Sequence, residues 1–114
     1  MAVTTLTEDQ IQAKFYKEAY NTFPQIRGLL FSVPNGGTRN MIEALKLQAT
    51  GLTPGIPDML LLKPLVAFEF KTPTGTLSPA QVKIHMIWRE AGIPVNVCRS
   101  SEDAMIILRK LLLP

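Results

Sequence analysis

Two apolar runs separated by a short turn constrain the fold of this chain more than any other feature. Residues 58–62 read DMLLL, residues 66–71 read VAFEFK, and Lys63-Pro64 lies between them. Short apolar segments bounded by turn residues are typical of neighbouring β-strands. DMLLL is apolar at successive positions, which predicts a central strand covered on both faces. The charged residues at the ends of the two runs are Asp58, Glu69 and Lys71.

The length of the turn decides which of these charges face each other. A two-residue loop at Lys63-Pro64 sets Asp58 opposite Glu69, whereas a four-residue loop sets Asp58 opposite Lys71. Proline cannot adopt the positive φ of a type I′ turn, which disfavours the shorter loop. Either register keeps all three charges on one face, because side chains alternate with period two. A three-residue loop without a bulge separates them.

Helical patterns flank these strands. Thr7 and Gln10 fit a capping box before an amphipathic helix over residues 8–22, which Pro24 ends. The other predicted elements are a strand GLLFSV, a helix MIEALKLQAT closed by Gly51, a helix from Ser78-Pro79 to Gly92, a strand IPVNVC and a helix that starts at Ser100. The order α-β-α-β-β-α-β-α predicts a mixed four-stranded sheet flanked by helices, an α/β fold. We expect residues 1–114 to form one domain.

Composition limits the compartment and the partners. A lone cysteine, Cys98, excludes an internal disulfide framework and favours a reducing compartment. The start MAVTTLTEDQ has no signal-peptide pattern, and no apolar run reaches the ~18 residues that span a bilayer. We therefore expect a cytoplasmic protein with no membrane partner. A net charge of +3 and a pI near 9.2 permit a polyanionic partner without requiring one.

The acids at the strand ends suggest a metal site. Two carboxylates on one face at the end of a central strand repel each other unless a cation lies between them. Oxygen ligands from Asp58 and Glu69 suit a hard divalent ion, Mg²⁺ or Mn²⁺, rather than Zn²⁺. Such an ion activates water and stabilises charge on a phosphoryl oxygen, and Lys71 can assist. This chemistry fits phosphodiester hydrolysis, while charges that simply mark strand ends are the alternative interpretation.

Four segments of the chain, two of which include the strands above, resemble in their order the VRR-NUC family of the PD-(D/E)XK nuclease superfamily. They are VPNGGTRN, LKLQATGLTPGIPDMLLL, AFEFKTPTGTLSPAQ and AGIPVNVCRSSEDA, and the likeness covers about residues 6–112. The resemblance implies a restriction-endonuclease-like fold and a divalent-metal-dependent DNA endonuclease, with roles in DNA repair or recombination. Small stand-alone members are implied to be homodimers similar to Holliday-junction resolvases, whereas a fused domain of the family acts on flap-like DNA.

The resemblance also implies roles for single residues. Asp58 and Glu69 correspond to metal ligands, the backbone carbonyl of Phe70 to a further ligand, and Lys71 to the catalytic lysine. The acid on the family's first helix maps best onto Glu8, which is thereby implied to be catalytic and to bind metal.

Two helical positions have simpler alternatives. Glu8 starts a helix, where any acid favours the dipole, and Asp9 is its nearest rival for the metal. The glutamine that follows the strand ending in Glu69 and Lys71 in the family maps onto Gln81, which is thereby implied to be catalytic and is otherwise a plain surface residue. His85 lies four residues after Gln81 on the same helical face, and a lone helical histidine is usually incidental.

The segment PNGGTRN is the main candidate for DNA contact. Asn35-Gly36-Gly37 is a turn signal whose glycines also let a phosphate backbone approach closely. Thr38 and Arg39 add a hydroxyl and a charge suited to phosphate oxygens. Lys46 and Lys83 are either solvated surface charges or further DNA contacts.

Three functions of different classes remain. The leading interpretation is a metal-dependent, structure-selective endonuclease acting on branched or flapped DNA. A non-catalytic nucleic-acid-binding module that retains the nuclease fold has no need of Asp58, Glu69 and Lys71 together. A structural interaction domain requires the order of all the motifs to be coincidental.

Overall fold

The computed structural model describes residues 5–34 and 40–114. Its elements are α1 (Glu8–Thr22), β1 (Leu30–Ser32), α2 (Met41–Ala49), β2 (Met59–Leu62), β3 (Leu65–Phe70), α3 (Pro79–Glu90), β4 (Val95–Cys98) and α4 (Ser101–Leu112). This is the predicted order, with one unpredicted 3₁₀ turn at Pro24–Ile26 after α1. No helix in the described part of the chain is long and apolar enough to cross a bilayer.

The strands form one mixed sheet in the order β1-β2-β3-β4. The first three strands pair antiparallel, and β3 pairs with β4 in parallel. The carboxyl ends of β3 and β4 therefore lie at the same end of the sheet, together with the start of β2. The predicted mixed four-stranded sheet is confirmed.

The β2–β3 hairpin has the shorter of the two loops. Leu62 pairs with Leu65, so Lys63 and Pro64 alone make the turn, and their peptide bond is cis. A cis proline at the third position defines a type VI turn, which requires no positive φ. The prediction that proline disfavours a two-residue loop is wrong, because proline is excluded from the type I′ turn but not from this one. Continuing the register beyond Met59 and Phe68 sets Asp58 opposite Glu69.

The core lies between the sheet and the helices α1 and α4. Phe15 of α1 packs against Phe68 and Phe70 of β3, with ring centroids 5.1 and 5.5 Å apart. Met105 and Leu108 of α4 are buried in the same cluster. The predicted period in α1 is confirmed, because the residues Ile11, Phe15, Ala19 and Phe23 are all buried.

The opposite face of the sheet is only partly covered. The prediction that β2 is covered on both faces is wrong, because Leu60 is half-buried and Leu62 is 48% exposed. Helix α3 lies over β3 and β4, which it contacts through His85 and Arg89. Strand β3 is therefore the one buried on both sides.

Candidate active site

Asp58 is held at the start of β2 by the neighbouring strand. Its Oδ2 accepts a hydrogen bond of 2.7 Å from the backbone N–H of Phe70. The last residue pair of the β2–β3 ladder is Met59 with Phe68, so this bond from a side chain extends the pairing by one step. The Asp58 side chain is thus fixed beside β3, where it also forms a hydrogen bond with the carboxyl group of Glu69.

Glu69 is a buried acid that faces another acid. Only 1% of its surface is exposed. Burial, followed by the hydrogen bond to Asp58 and the charge of Asp58, raises the pKa of Glu69 to about 9, against a smaller opposing effect of Lys71. Two carboxyl groups this close cannot both ionise unless a cation compensates them. The pair therefore holds one proton at neutral pH in the absence of a cation.

Lys71 lies immediately beyond the pair. Its backbone N–H donates to the carbonyl oxygen of Cys98 at 3.0 Å, and its side chain is 9% exposed. The Nζ atom lies 4.0 Å from Oε1 of Glu8 at the first turn of α1. Asp9 instead lines an open cleft of about 540 Å³ that Phe31 of β1 also lines. Of the two rival acids on α1, Glu8 is the one that the structure places beside Lys71.

Gly55 sets the position of the loop that leads to Asp58. Its φ of +90° is a conformation that side chains rarely adopt, and a Cβ there would collide with the backbone carbonyl of Ala80 in the first turn of α3. Only glycine lets the PGIP segment pack this closely on α3. Pro57, next to Asp58, is fully buried.

Gln81 lies in the first turn of α3 and forms hydrogen bonds with the residue that caps the helix, Ser78. Its Oε1 accepts the backbone N–H of Ser78 at 2.9 Å, and its own N–H donates to Oγ of Ser78. These bonds form a capping box, which explains the residue without any role in catalysis. A catalytic role for Gln81 stays a prediction.

His85 also lies at the site, although no role was predicted for it from the sequence. It is buried, and its Nε2 lies 2.9 Å from Oε1 of Glu69. Burial, and then the nearby charge of Arg89, lower the pKa of His85 below its ordinary value. The available signal was its spacing of four residues from Gln81, but that spacing does not show that α3 lies over β3.

The predicted DNA contacts are placed only in part. Lys46 on α2 and Lys83 on α3 are exposed, as either interpretation requires. The loop candidates Asn35, Gly36, Gly37, Thr38 and Arg39 lie outside the described residues. Cys98 is a core residue with no exposed surface, and its burial raises the pKa of its thiol to about 12.

The donor atoms at this site suit magnesium better than zinc. Within residues 5–34 and 40–114, no three His, Cys, Asp or Glu side chains converge as a complete metal cage. Asp58 and Glu69 supply two carboxyl groups, and the carbonyl of Phe70 belongs to the same strand end. Mg²⁺ is usually held by one or two carboxylates and retains several waters, so this small donor set fits it.

Together these features define a class, an α/β domain with a mixed four-stranded sheet and an acid pair at one end of that sheet. A solved structure described as a VRR_NUC domain protein has the same fold, with a TM-score of 0.80 and 17% sequence identity. The match covers 96% of this chain and 91% of that one. The family model of the VRR-NUC domain matches residues 3–102. The chain belongs to the VRR-NUC family of nuclease-type domains. A comparison with curated proteins finds no significant match.

Proposed function

We propose that this protein is a divalent-metal-dependent, structure-selective endonuclease that hydrolyses phosphodiester bonds in branched or flapped DNA. The observation that carries the proposal is the contact between Asp58 and buried Glu69, with Lys71 beside them. Two hydrogen-bonded acids and a poorly hydrated lysine at one sheet end are costly to fold and useful for phosphoryl chemistry. Membership of a nuclease-type family supports a nucleic-acid substrate.

The metal would be Mg²⁺ or Mn²⁺. The carboxyl groups of Asp58 and Glu69 and the backbone carbonyl of Phe70 would hold it, with Glu8 as a further acid at the edge of the site. When bound, such an ion polarises a phosphoryl oxygen and makes a bound water more acidic. Glu69 must give up its proton to become a ligand, so metal binding releases a proton.

The protein's own groups then have distinct tasks. The N–H of Phe70 keeps Asp58 oriented, which preserves the spacing of the two acids. Lys71 is buried, so its ammonium group interacts more strongly with a developing negative charge than it would in water. Lys71 thus stabilises the charge on the scissile phosphate or orients the attacking water, and Glu8 at 4.0 Å keeps the ammonium at the site.

A second copy of the chain would complete the substrate surface. The net charge of +3 gives a monomer a small basic surface, although Lys46, Lys83 and residues 35–39 can each contact phosphate. Helix α2 has no buried residue, and three of its four large apolar side chains, Met41, Ile42 and Leu45, are exposed, while Leu47 is half-buried. We expect a homodimer, as the family resemblance implies, to cover this face, and sedimentation equilibrium measures that assembly state directly.

The experiment is a cleavage assay on labelled DNA. A four-way junction, a flap, a nicked duplex and a linear duplex are each incubated with Mg²⁺, Mn²⁺ or EDTA. We expect cutting with either metal and none in EDTA, and a loss of about 10²–10³-fold for Lys71→Ala, the typical effect of removing one charge-stabilising donor. Lys110→Ala is the control. This exposed lysine lies near the end of α4, roughly 13 Å along the helix from its first residue, Ser101, which follows the end of β4.

The outcomes separate the functional classes. Preference for the junction or for the flap distinguishes a resolvase from a flap nuclease. DNA binding without cutting under every metal would show a non-catalytic nucleic-acid-binding module instead. Equal loss of activity in the Lys71 and Lys110 variants would mean that Lys71 acts only through net charge.

A further inference from the structure

We infer that His85 is a positioning residue that holds the Glu69 carboxyl group in its metal-binding orientation by donating a hydrogen bond from Nε2. The inference rests on the proposed function, since it assigns Glu69 as a ligand. It adds a residue from α3 to a site otherwise formed by β2, β3 and α1.

The geometry isolates this contact from solvent. Nε2 of His85 and Oε1 of Glu69 are 2.9 Å apart, and both side chains are only 1% exposed. Glu69 is therefore held from two directions, by His85 on α3 and by Asp58 at the start of β2. Because solvent barely reaches either group, water cannot readily replace the imidazole as a partner.

The direction of the hydrogen bond follows from the chemistry of the two groups. A carboxylate that binds a metal can only accept hydrogen bonds, so Nε2 must carry the proton. The charged groups around the ring are Arg89, Asp58 and Lys71, and Nε2 is the ring nitrogen within hydrogen-bond distance of Glu69. A neutral imidazole has one N–H, and this geometry assigns it to Glu69.

The other ring nitrogen argues against simple packing. Nδ1 is buried and has no hydrogen-bond partner among the residues that the structure describes. An unpaired buried nitrogen reduces stability, so an apolar residue would fill the same space better. The bond to Glu69 gives the histidine a reason to be there. Hydrogen bonds to metal ligands typically change metal affinity by about 10–100-fold.

A single histidine in the chain makes the tautomer directly observable. Protein labelled with ¹⁵N-histidine is saturated with Mg²⁺, and the two imidazole nitrogens are read by long-range ¹H–¹⁵N NMR. We expect a proton on Nε2 and none on Nδ1. The opposite tautomer would overturn the inference, because Nε2 would then be an acceptor.

Three substitutions test the effect on metal binding, measured by calorimetry with Mn²⁺ alone. His85→Leu has no donor, His85→Asn has a donor on a shorter side chain, and His85→Gln can place an N–H near the Nε2 position. We expect Mn²⁺ to bind about 10–100-fold more weakly to the Leu and Asn variants, while the Gln variant stays within a few-fold of wild type. Met86→Leu, an exposed neighbour on α3, is the control.

The unfolding midpoint of each variant in EDTA separates misfolding from loss of positioning. If the Leu variant does not fold, the Asn and Gln variants carry the comparison. If a folded Leu or Asn variant bound Mn²⁺ with wild-type affinity, the inference would be overturned and the proposed function would stand. The same holds if the Gln variant bound Mn²⁺ as weakly as the Asn variant. A wild-type protein that binds no Mn²⁺ would instead remove the proposed function itself.

Discussion

The carboxyl group of Glu69 is buried from solvent and lies next to a second acid, Asp58. The preceding Phe68 and the following Phe70 point to the opposite face and pack on Phe15, so β3 cannot rotate to expose Glu69 without losing that core. The aromatic contacts of one face therefore fix the acid of the other. Because folding forces Glu69 into this position, its raised pKa contributes to the free energy of unfolding and can be measured there.

The first prediction concerns pH. Below pH 4.5 Glu69 is protonated in both the folded and the unfolded protein, and between 4.5 and about 9 only the folded protein holds the proton. The free energy of unfolding in EDTA must therefore fall as pH rises, by up to about 1.4 kcal/mol per pH unit. Urea unfolding between about pH 7 and about pH 8.5 measures it.

Two variants test whether Glu69 causes this dependence of the free energy of unfolding on pH. Glu69→Gln cannot titrate and is expected to flatten it, whereas Glu43→Gln, an exposed acid on α2, is expected to retain it. His85 does not interfere, because its lowered pKa places its titration below this range. A wild-type protein with no slope would contradict the raised pKa of Glu69.

Residue-scale prediction from the sequence succeeded where periodicity was sufficient. Asp58, Glu69 and Lys71 were placed on one face because strand side chains alternate, and this holds in the structure. His85 could not be given a role in this way. Its contact with Glu69 depends on which strands α3 covers, and that is decided by packing across the sheet.

At the scale of elements, the site depends on the contact between the loop before β2 and the first turn of α3. Gly55 and Gly28 have similar φ values of +90° and +83°, but an added Cβ meets the backbone of Ala80 only at Gly55. Comparing alanine at the two positions thus separates backbone strain from collision.

We expect Gly28→Ala to cost about 1–2 kcal/mol, the penalty of a left-handed backbone. Gly55→Ala is expected to cost clearly more and also to weaken Mn²⁺ binding, because Asp58 follows that loop by three residues. Urea unfolding and calorimetry measure the two effects. Equal destabilisation by the two substitutions would show that the loop moves away from α3 freely.

Element boundaries were predictable where capping residues mark them. Thr7, Ser78 and Ser100 all cap helices as their sequence positions indicate. The coverage of β2 was not predictable, because an apolar run looks the same in the sequence whether a helix covers one of its faces or leaves that face partly exposed. The loop of the hairpin was misjudged because proline permits a two-residue turn without positive φ.

At the scale of the whole molecule, the site lies where several element ends converge. The site contains the starts of β2 and α1 and the ends of β3 and β4. Arg99, which follows β4, binds the loop that follows β3. Its Nη1 donates to the carbonyl oxygens of Thr72 at 2.8 Å and Gly75 at 2.6 Å. The helical and strand pattern predicted these elements, but only the parallel pairing of β3 with β4 brings their ends together.

The most direct measurement is a crystal structure of the protein soaked with Mn²⁺, with anomalous diffraction data to locate the ion. The proposed metal centre predicts a peak within ligand distance of the carboxyl groups of both Asp58 and Glu69, which disappears in Glu69→Gln. Manganese bound only elsewhere, or no bound manganese while the acids keep their mutual hydrogen bond, would contradict it.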